Sequence, residues 1–319
     1  MEHSDILVTG GAGFIGSELI KFLLEKNNQV VLFDNFSSTN NLQNLKSDHL
    51  EVIKGDCSSV SDLQKISSKF DIIFHLAADP EVRLTMTNPQ SIFKNNIIST
   101  YNLLEWARET AVHTIVFTSS STVYGDATII PTPESYPCTP ISLYGASKLA
   151  CEALLSAYCH TYKKRGIVIR LANVVGPSST HGILFDMITK LKNNSNELEI
   201  LGDGNQNKSY LYIDDCIAGI IHILDHTDSD FDIYNLGSDS QITVKEIVEL
   251  ILDELGFSNV KKIFTGGIDG GRGWIGDVKK MFLDISKIKS SGWKPTINSY
   301  EAIRKTIRAI GKDLVNKQI

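Results

Sequence analysis

Apolar residues recur along this chain in two rhythms that alternate. Asp5-Ile-Leu-Val-Thr9 and Gln29-Val-Val-Leu-Phe-Asp34 are apolar almost throughout, the pattern of short strands buried on both faces of a parallel sheet. Between them Phe14, Ile15, Leu19, Ile20, Phe22, Leu23 and Leu24 return at helical spacing, with polar residues in the gaps. The alternation continues. Glu51-Val-Ile-Lys-Gly55 follows as a third strand run, Ser61 to Lys69 as a short helix and Asp71-Ile-Ile-Phe-His-Leu76 as a fourth strand. Ser91 to Glu109 then reads as a long amphipathic helix, Thr114-Ile-Val-Phe-Thr118 as a strand, Leu143 to Lys164 as a helix and Ile167-Val-Ile-Arg-Leu171 as a strand. Such regular alternation predicts the α/β class, a doubly wound parallel sheet.

Beyond Asn173 the rhythm breaks. Residues 176–208 are rich in Gly, Asn and Ser, as in a segment that covers a substrate, and shorter elements run on to the C-terminus. The expected organisation is a Rossmann-type nucleotide-binding domain over residues 1–173, to which segments near 208–236 return. A smaller C-terminal substrate-binding domain is expected mainly over residues 174–319.

The first turn carries chemistry. Gly11, Gly13 and Gly16 make G-x-G-x-x-G, and Gly10, Gly13 and Gly16 a wider spacing of the same kind. Flanked by a strand and a helix, such glycines permit a tight turn and let the backbone approach a dinucleotide pyrophosphate, while the helix N-terminus offers N–H donors. Asp34 ends the second strand eighteen residues beyond Gly16, where a carboxylate accepts hydrogen bonds from an adenosine ribose. It would repel a ribose phosphate, and no arginine follows in Asn35-Phe-Ser-Ser38, so the expected cofactor is NAD rather than NADP. Asp56 is placed for an adenine contact.

The second motif is Tyr144-Gly-Ala-Ser-Lys148. It sets a phenol and an ammonium four residues apart on one helical face, where the cation is expected to lower the phenol's pKa. With the glycine turn, it points to hydride transfer.

Composition narrows the rest. A formal net charge of −6 argues against general affinity for nucleic acid or anionic membrane. The cysteines number five and show no C-x-x-C, so neither a disulfide framework nor a zinc site is expected. The remaining histidines are scattered without metal-ligand spacing, and no metal is expected. No secretory leader or membrane-spanning run is seen, and the expected location is cytoplasmic. His75 reads as structural, Asp214-Asp215 as a helix N-terminus, and Tyr101, Leu104 and Trp106 as core or subunit interface.

Read in order, Thr9 to Ser17, Asp34-Asn35, His75-Leu-Ala-Ala78, Asn96 to Thr100, Ser119-Ser-Ser-Thr-Val-Tyr-Gly125 and Tyr144 to Lys148 form one series. It continues in Asn173-Val-Val-Gly-Pro177, Gly202-Asp-Gly204, Tyr212-Ile-Asp-Asp215, Tyr234-Asn-Leu-Gly237, Arg272 and Asp277. Over nearly its whole length the chain resembles the extended short-chain dehydrogenase/reductases, and among them the nucleotide-sugar epimerases related to UDP-glucose 4-epimerase.

The resemblance implies retained NAD, a UDP-sugar or other NDP-sugar substrate, and a homodimer packed through the helices Ser91–Glu109 and Leu143–Lys164. It implies catalysis by Ser120, Tyr144 and Lys148. Cofactor contacts would come from Gly10, Gly13, Phe14, Ile15 and Gly16 at the turn and from Asp34, Asn35, Ser37, Asp56 and Cys57 beyond it. Leu76, Ala77, Ala78, Asn96, Thr118, Tyr144 and Lys148 complete that set. Substrate contacts would come from Ser120, Ser121, Tyr144, Asn173, Lys208, Arg272 and Asp277.

The chain departs from the family in places. Lys208 stands where arginine is usual, keeping the charge but not the bidentate grip. Ser99 replaces a glycine, and Arg272 to Asp277 is longer than usual. Met281 falls near a position that gates N-acetylated sugars. Thr122 stands where dehydratases and decarboxylases of the family carry an acid, which favours 4-epimerisation. A dehydratase or net oxidoreductase of the same fold is the alternative, and a non-catalytic NAD-binding protein the third reading.

Overall fold

The computed structural model describes residues 2–38, 40–67, 69–82 and 87–315, with side chains as far as Gly311. The alternating pattern folds as β1 (Asp5–Thr9), β2 (Gln29–Asp34), β3 (Leu50–Lys54), β4 (Ile72–His75), β5 (Thr114–Ser120) and β6 (Arg165–Leu171). Short strands follow: β7 (Asn173–Val175), β8 (Glu197–Ile200), β9 (Asn207–Lys208) and β10 (Tyr210–Tyr212). The last four are β11 (Phe231–Leu236), β12 (Ile242–Thr243), β13 (Lys261–Phe264) and β14 (Lys280–Met281).

Seven strands make one sheet in the order β11-β6-β5-β4-β1-β2-β3, and every pairing in it is parallel. This is the Rossmann-type doubly wound sheet, with a seventh strand supplied from late in the chain. Ile6, Leu7, Val8, Ile73, Phe74, Val116 and Ile167 are buried at its centre, as unbroken apolar runs require. Helices cover it, among them Phe14–Glu25 and Leu143–Tyr162. The later strands form small separate sheets, β10-β7, β12-β9-β14 and β13-β8.

Three elements differ from the sequence reading. The expected helix from Ser61 to Lys69 is helical only over Val60–Leu63, because the backbone then tightens: Lys65 N–H bonds to the Asp62 carbonyl and Ile66 N–H to that of Leu63. The expected helix from Ser91 to Glu109 runs from Pro89 to Arg108, but through a π-helical stretch at Phe93–Ile98. The segment 176–208, read from its composition only as one that covers a substrate, contains an eleven-residue helix, Ile183–Asn193, which buries Leu184, Met187, Ile188 and Leu191.

Candidate active site

A cavity of about 1030 Å³ opens beyond the carboxyl ends of the strands, where the chain's winding reverses between β1 and β4. The glycine turn forms one wall. A Cβ at Gly10, whose φ is +70°, would lie 2.6 Å from the Ala77 nitrogen, and one at Gly16 2.3 Å from the Gly10 carbonyl oxygen. These two positions admit only glycine because strand, turn and helix pack so closely. Gly13 differs: a Cβ there meets nothing nearer than the Gly10 oxygen at 3.4 Å. The space it leaves belongs to the cavity. Gly13 caps the helix Phe14–Glu25 without a side-chain bond, which leaves first-turn N–H groups for an anion. A pyrophosphate fits this cradle.

Farther along the wall, Asp34 accepts hydrogen bonds from the backbone N–H of Ala12 at 3.0 Å and of Phe36 at 2.7 Å. Burial pushes its carboxyl above the usual range, against those two bonds. Burial also acts to raise Asp56, but bonds from Ser58 and Asn35 and the charge of Lys94 hold it lower on balance. Asn35, Ser37 and the buried Cys57 line the same end. Leu76, Ala77, Ala78 and Thr118 line the path from there to the far end. Asn96 does not line the cavity. Its side-chain oxygen accepts from Asp79 N–H at 2.7 Å and its amide donates to Ser147 Oγ at 2.9 Å, so it ties the loop after β4 to the helix Leu143–Tyr162.

His75 is structural by its bonds. Thr100 gives its one hydroxyl proton to the Asn96 carbonyl, so it accepts from His75 Nε2 at 2.9 Å, and Thr9 donates to Nδ1 at 2.7 Å. The ring is neutral and fully bonded. Burial, then the charge of Lys148, pushes its pKa down to about 3.

At the far end stand Ser120, Tyr144 and Lys148. Ser142 caps the helix Leu143–Tyr162 by accepting from Gly145 N–H at 3.1 Å. Gly145 packs so near the 3₁₀ turn Ser121–Tyr124 that a Cβ there would lie 2.6 Å from the Thr122 carbonyl oxygen. The cap and this close packing bring Tyr144 to Ser120. Ser120 Oγ accepts from Thr122 N–H at 3.2 Å and Thr122 Oγ1 at 3.0 Å, which leaves its own proton to turn toward the neighbouring Tyr144 phenol or a ligand. Lys148, 3% exposed, donates to the Thr118 carbonyl at 2.9 Å.

The expected lowering of the phenol's pKa is not found in these surroundings. Burial pushes Tyr144 up to about 12, and the bond from Ser120 only moderates this. Lys148 Nζ lies 5.9 Å from the Tyr144 ring centroid and turns to the Thr118 carbonyl instead. Burial pushes Lys148 down to about 8, with Cys151 and Glu152 opposing.

The remaining wall is assembled from the late segments. Ser121, Asn173, Lys208, Asp277 and Met281 line it. Asn173 donates to the Ser209 carbonyl at 3.2 Å, and Lys208 pairs with the buried Asp277 at 2.7 Å. Arg272 does not line the cavity. Its guanidinium grips Asp126 at 2.7 and 3.0 Å and donates to the Asp277 carbonyl. Trp274, which the sequence reading passed over, takes a place in the wall. Its indole N–H is buried without a partner among the described residues, and Lys208 Nζ lies 5.7 Å from its ring. The unusual length from Arg272 to Asp277 was the available signal. Among the described residues no cluster of three or more His, Cys, Asp or Glu is placed to hold a metal, and no helix is long and apolar enough to cross a membrane.

A dinucleotide cradle that opens into one cavity with a Ser-Tyr-Lys set defines the short-chain dehydrogenase/reductase class. The chain belongs to the NAD dependent epimerase/dehydratase family, whose pattern matches residues 6–237, and NAD is its cofactor. A putative UDP-glucose 4-epimerase of Methanocaldococcus jannaschii is 33% identical over 308 residues, 95% of this chain and 97% of that protein. The crystal structure of a UDP-galactose 4-epimerase superposes with a TM-score of 0.87 at 41% identity, covering 97% of this chain and 99% of that one. That of the UDP-glucuronic acid 4-epimerase from Bacillus cereus, in complex with UDP-glucuronic acid and NAD, gives 0.87 at 30% identity with the same coverage.

Proposed function

We propose that this protein epimerises a nucleoside-diphosphate sugar at C4, of the UDP-glucose/UDP-galactose type, through a transient 4-keto sugar. The observation that carries the reading is that Ser120, with its lone pairs taken up by Thr122, lines the end of the cofactor cavity together with Tyr144 and Lys148. Bound NAD supplies the hydride acceptor and, after the sugar turns over, the donor. Tyr144 takes the proton from the C4 hydroxyl and later returns it, while Ser120 turns its one proton from the phenol to the reacting oxygen once the sugar is bound. Lys148 would hold the nicotinamide ribose, and the positive charge of the bound cofactor would favour the phenolate that burial alone opposes. Thr122 already donates its hydroxyl to Ser120. No acid stands at that position for eliminating water, which supports epimerisation over dehydration.

The nucleotide handle rests on Asn173, Lys208, Asp277 and Trp274, whose N–H, without a partner among the described residues, suits a ligand oxygen. Arg272 braces this wall from outside through Asp126. Residues 1–173, with the segment that returns as β11, serve as the cofactor-binding part, and residues 174–319 mainly as the substrate-binding part. The same reading carries a cytoplasmic homodimer. The exposed Phe93, Tyr101 and Tyr162 on the expected interface helices support the dimer.

The test is incubation of the purified protein, without added cofactor, with UDP-galactose, UDP-N-acetylgalactosamine and UDP-galacturonate in turn, followed by NMR of the products. A 4-epimer is expected from one or more. A 4-keto-6-deoxy product, or net reduction of NAD, would overturn the epimerase reading.

A further inference from the structure

Beneath Ser120 lies a buried charge pair that the reaction does not use. Glu152 stands one helical turn beyond Lys148, and its side chain and that of Arg170 on β6 are each 4% exposed. Arg170 grips the carboxylate with Nη2 at 2.7 Å from Oε2 and Nε at 3.0 Å from Oε1. The same carboxylate accepts from Ser119 Oγ at 2.5 Å. The guanidinium goes on to donate to the Tyr124 hydroxyl at 2.9 Å and the Glu134 carbonyl at 3.1 Å. Tyr124 passes its own proton to Asn235 Oδ1 at 2.7 Å.

Ser119 and Tyr124 bracket the stretch that holds Ser120 and Thr122. One carboxylate therefore pins the start of that stretch, and one guanidinium pins its end. Stability alone is a weak reason to keep such a pair, because apolar side chains of similar volume often replace a buried ion pair at no cost. Its position gives a better one. The pair links the helix of Tyr144 and Lys148 to the end of β5 that carries Ser120, the two elements whose relative placement sets how Ser120 meets Tyr144.

We propose that Glu152 and Arg170 are positioning residues for the reaction, holding the Ser119–Tyr124 stretch so that Ser120 meets Tyr144. The proposal rests on the assignment of Ser120, Tyr144 and Lys148 to the chemistry. A secondary effect accompanies it: the negative charge of Glu152 helps hold Lys148 protonated against burial. Lys148 also faces Tyr144 and Cys151 on its own helix, His75 from β4, and the Phe117 ring and Thr118 carbonyl from β5. Glu152 faces Arg170 from β6, Ser119 from β5 and Cys138 from the loop before the helix. Tyr144 in turn faces Asp79 from the loop after β4.

Three variants of the NAD-loaded protein test this: Glu152→Gln, Ser119→Ala, and the double replacement Glu152→Leu with Arg170→Met, which removes both charges together. Turnover should fall about 10- to 100-fold in each, with KM and retained NAD close to the unaltered protein. In Glu152→Gln the alkaline limb of the kcat–pH profile should also move to lower pH. Should Glu152→Gln alone fail to fold, the double variant and Ser119→Ala still decide. A folded double variant with unaltered kcat would reduce the pair to scaffolding and overturn the proposal. A second readout needs no sugar. The Tyr144 phenol, followed by NMR with 13C-labelled tyrosine and assigned with Tyr144→Phe, should titrate higher in the double variant because Ser120 no longer meets it. An unchanged midpoint would overturn the proposal as well. Lack of turnover by the unaltered protein would instead count against the epimerase reading, and this titration would still decide the positioning role.

Discussion

Replacing His75 by glutamine should remove an acid sensitivity built into the sheet. The imidazole is 2% exposed, bonded on one side to Thr9 and on the other to Thr100, and its pKa is pushed down to about 3 from the ordinary 6.5. The folded protein therefore keeps this ring neutral down to about pH 3, while the unfolded chain binds a proton below pH 6.5. The unfolded state holds more protons throughout that window, so stability is full above pH 6.5 and falls as the pH drops toward 3. Between pH 7 and pH 5 the loss from this one group amounts to about 2 kcal/mol, since each pH unit inside the window contributes about 1.4 kcal/mol. Glutamine can still accept from Thr9 and donate to Thr100 but does not titrate. Its fixed cost enters equally at both pH values and cancels. The assay is urea unfolding at pH 7 and pH 5 under one NAD concentration, followed by both tryptophan fluorescence and circular dichroism. Coincident curves license a two-state treatment. The unaltered protein should lose about 2 kcal/mol more than His75→Gln over that interval. Equal losses would mean that His75 is not held neutral, and the hydrogen-bond assignment would fall with it.

Other outcomes follow from the site. Asp34→Ala removes the acceptor of two backbone N–H groups and the expected ribose contact, so NAD affinity should drop about 10- to 100-fold by calorimetry; unchanged affinity refutes the contact. Tyr144→Phe should retain NAD yet lose turnover by about 10²- to 10⁴-fold, and near-normal rates would remove the phenol from the mechanism. Lys208→Met should raise KM for the nucleotide sugar about 10-fold, whereas Arg272→Ala, whose guanidinium is turned to Asp126, should raise it less than about 3-fold. Equal effects would return Arg272 to the diphosphate.

The sheet and its cofactor end were legible because they rest on local pattern. β1, the helix after it and β2 each lie within one apolar run, and the glycine spacing sits between them. The helix Ile183–Asn193 was passed over for a different reason. Glycine, asparagine and serine dominate its flanks, yet Leu184, Met187, Ile188 and Leu191 already stood at helical spacing. The π-helical stretch at Phe93–Ile98 leaves no mark in the periodicity of so short a segment. Contacts between distant parts were out of reach altogether. Arg272 meets Asp126 across 146 residues, and Asn96 turns to Asp79 and Ser147 through the packing of two helices and a loop. The contact of Lys148 was out of reach on the same ground, since spacing places it beside Tyr144 but does not say that the ammonium turns to the Thr118 carbonyl.

The outermost strand has a consequence for how this protein is made. β11 closes the edge of the main sheet against β6, and Asn235 within it accepts the Tyr124 proton and donates to the carbonyls of Thr132 and Asp284. Roughly 65 residues separate the end of β6 from the end of β11, so a ribosome adding about 5–20 residues per second needs several seconds between the two. During that wait the β6 edge is unpaired, and such an edge recruits foreign strands. A nascent chain stopped near residue 173 is therefore an aggregation-prone species, and the cofactor half should be expressed only together with the segment that brings β11 home.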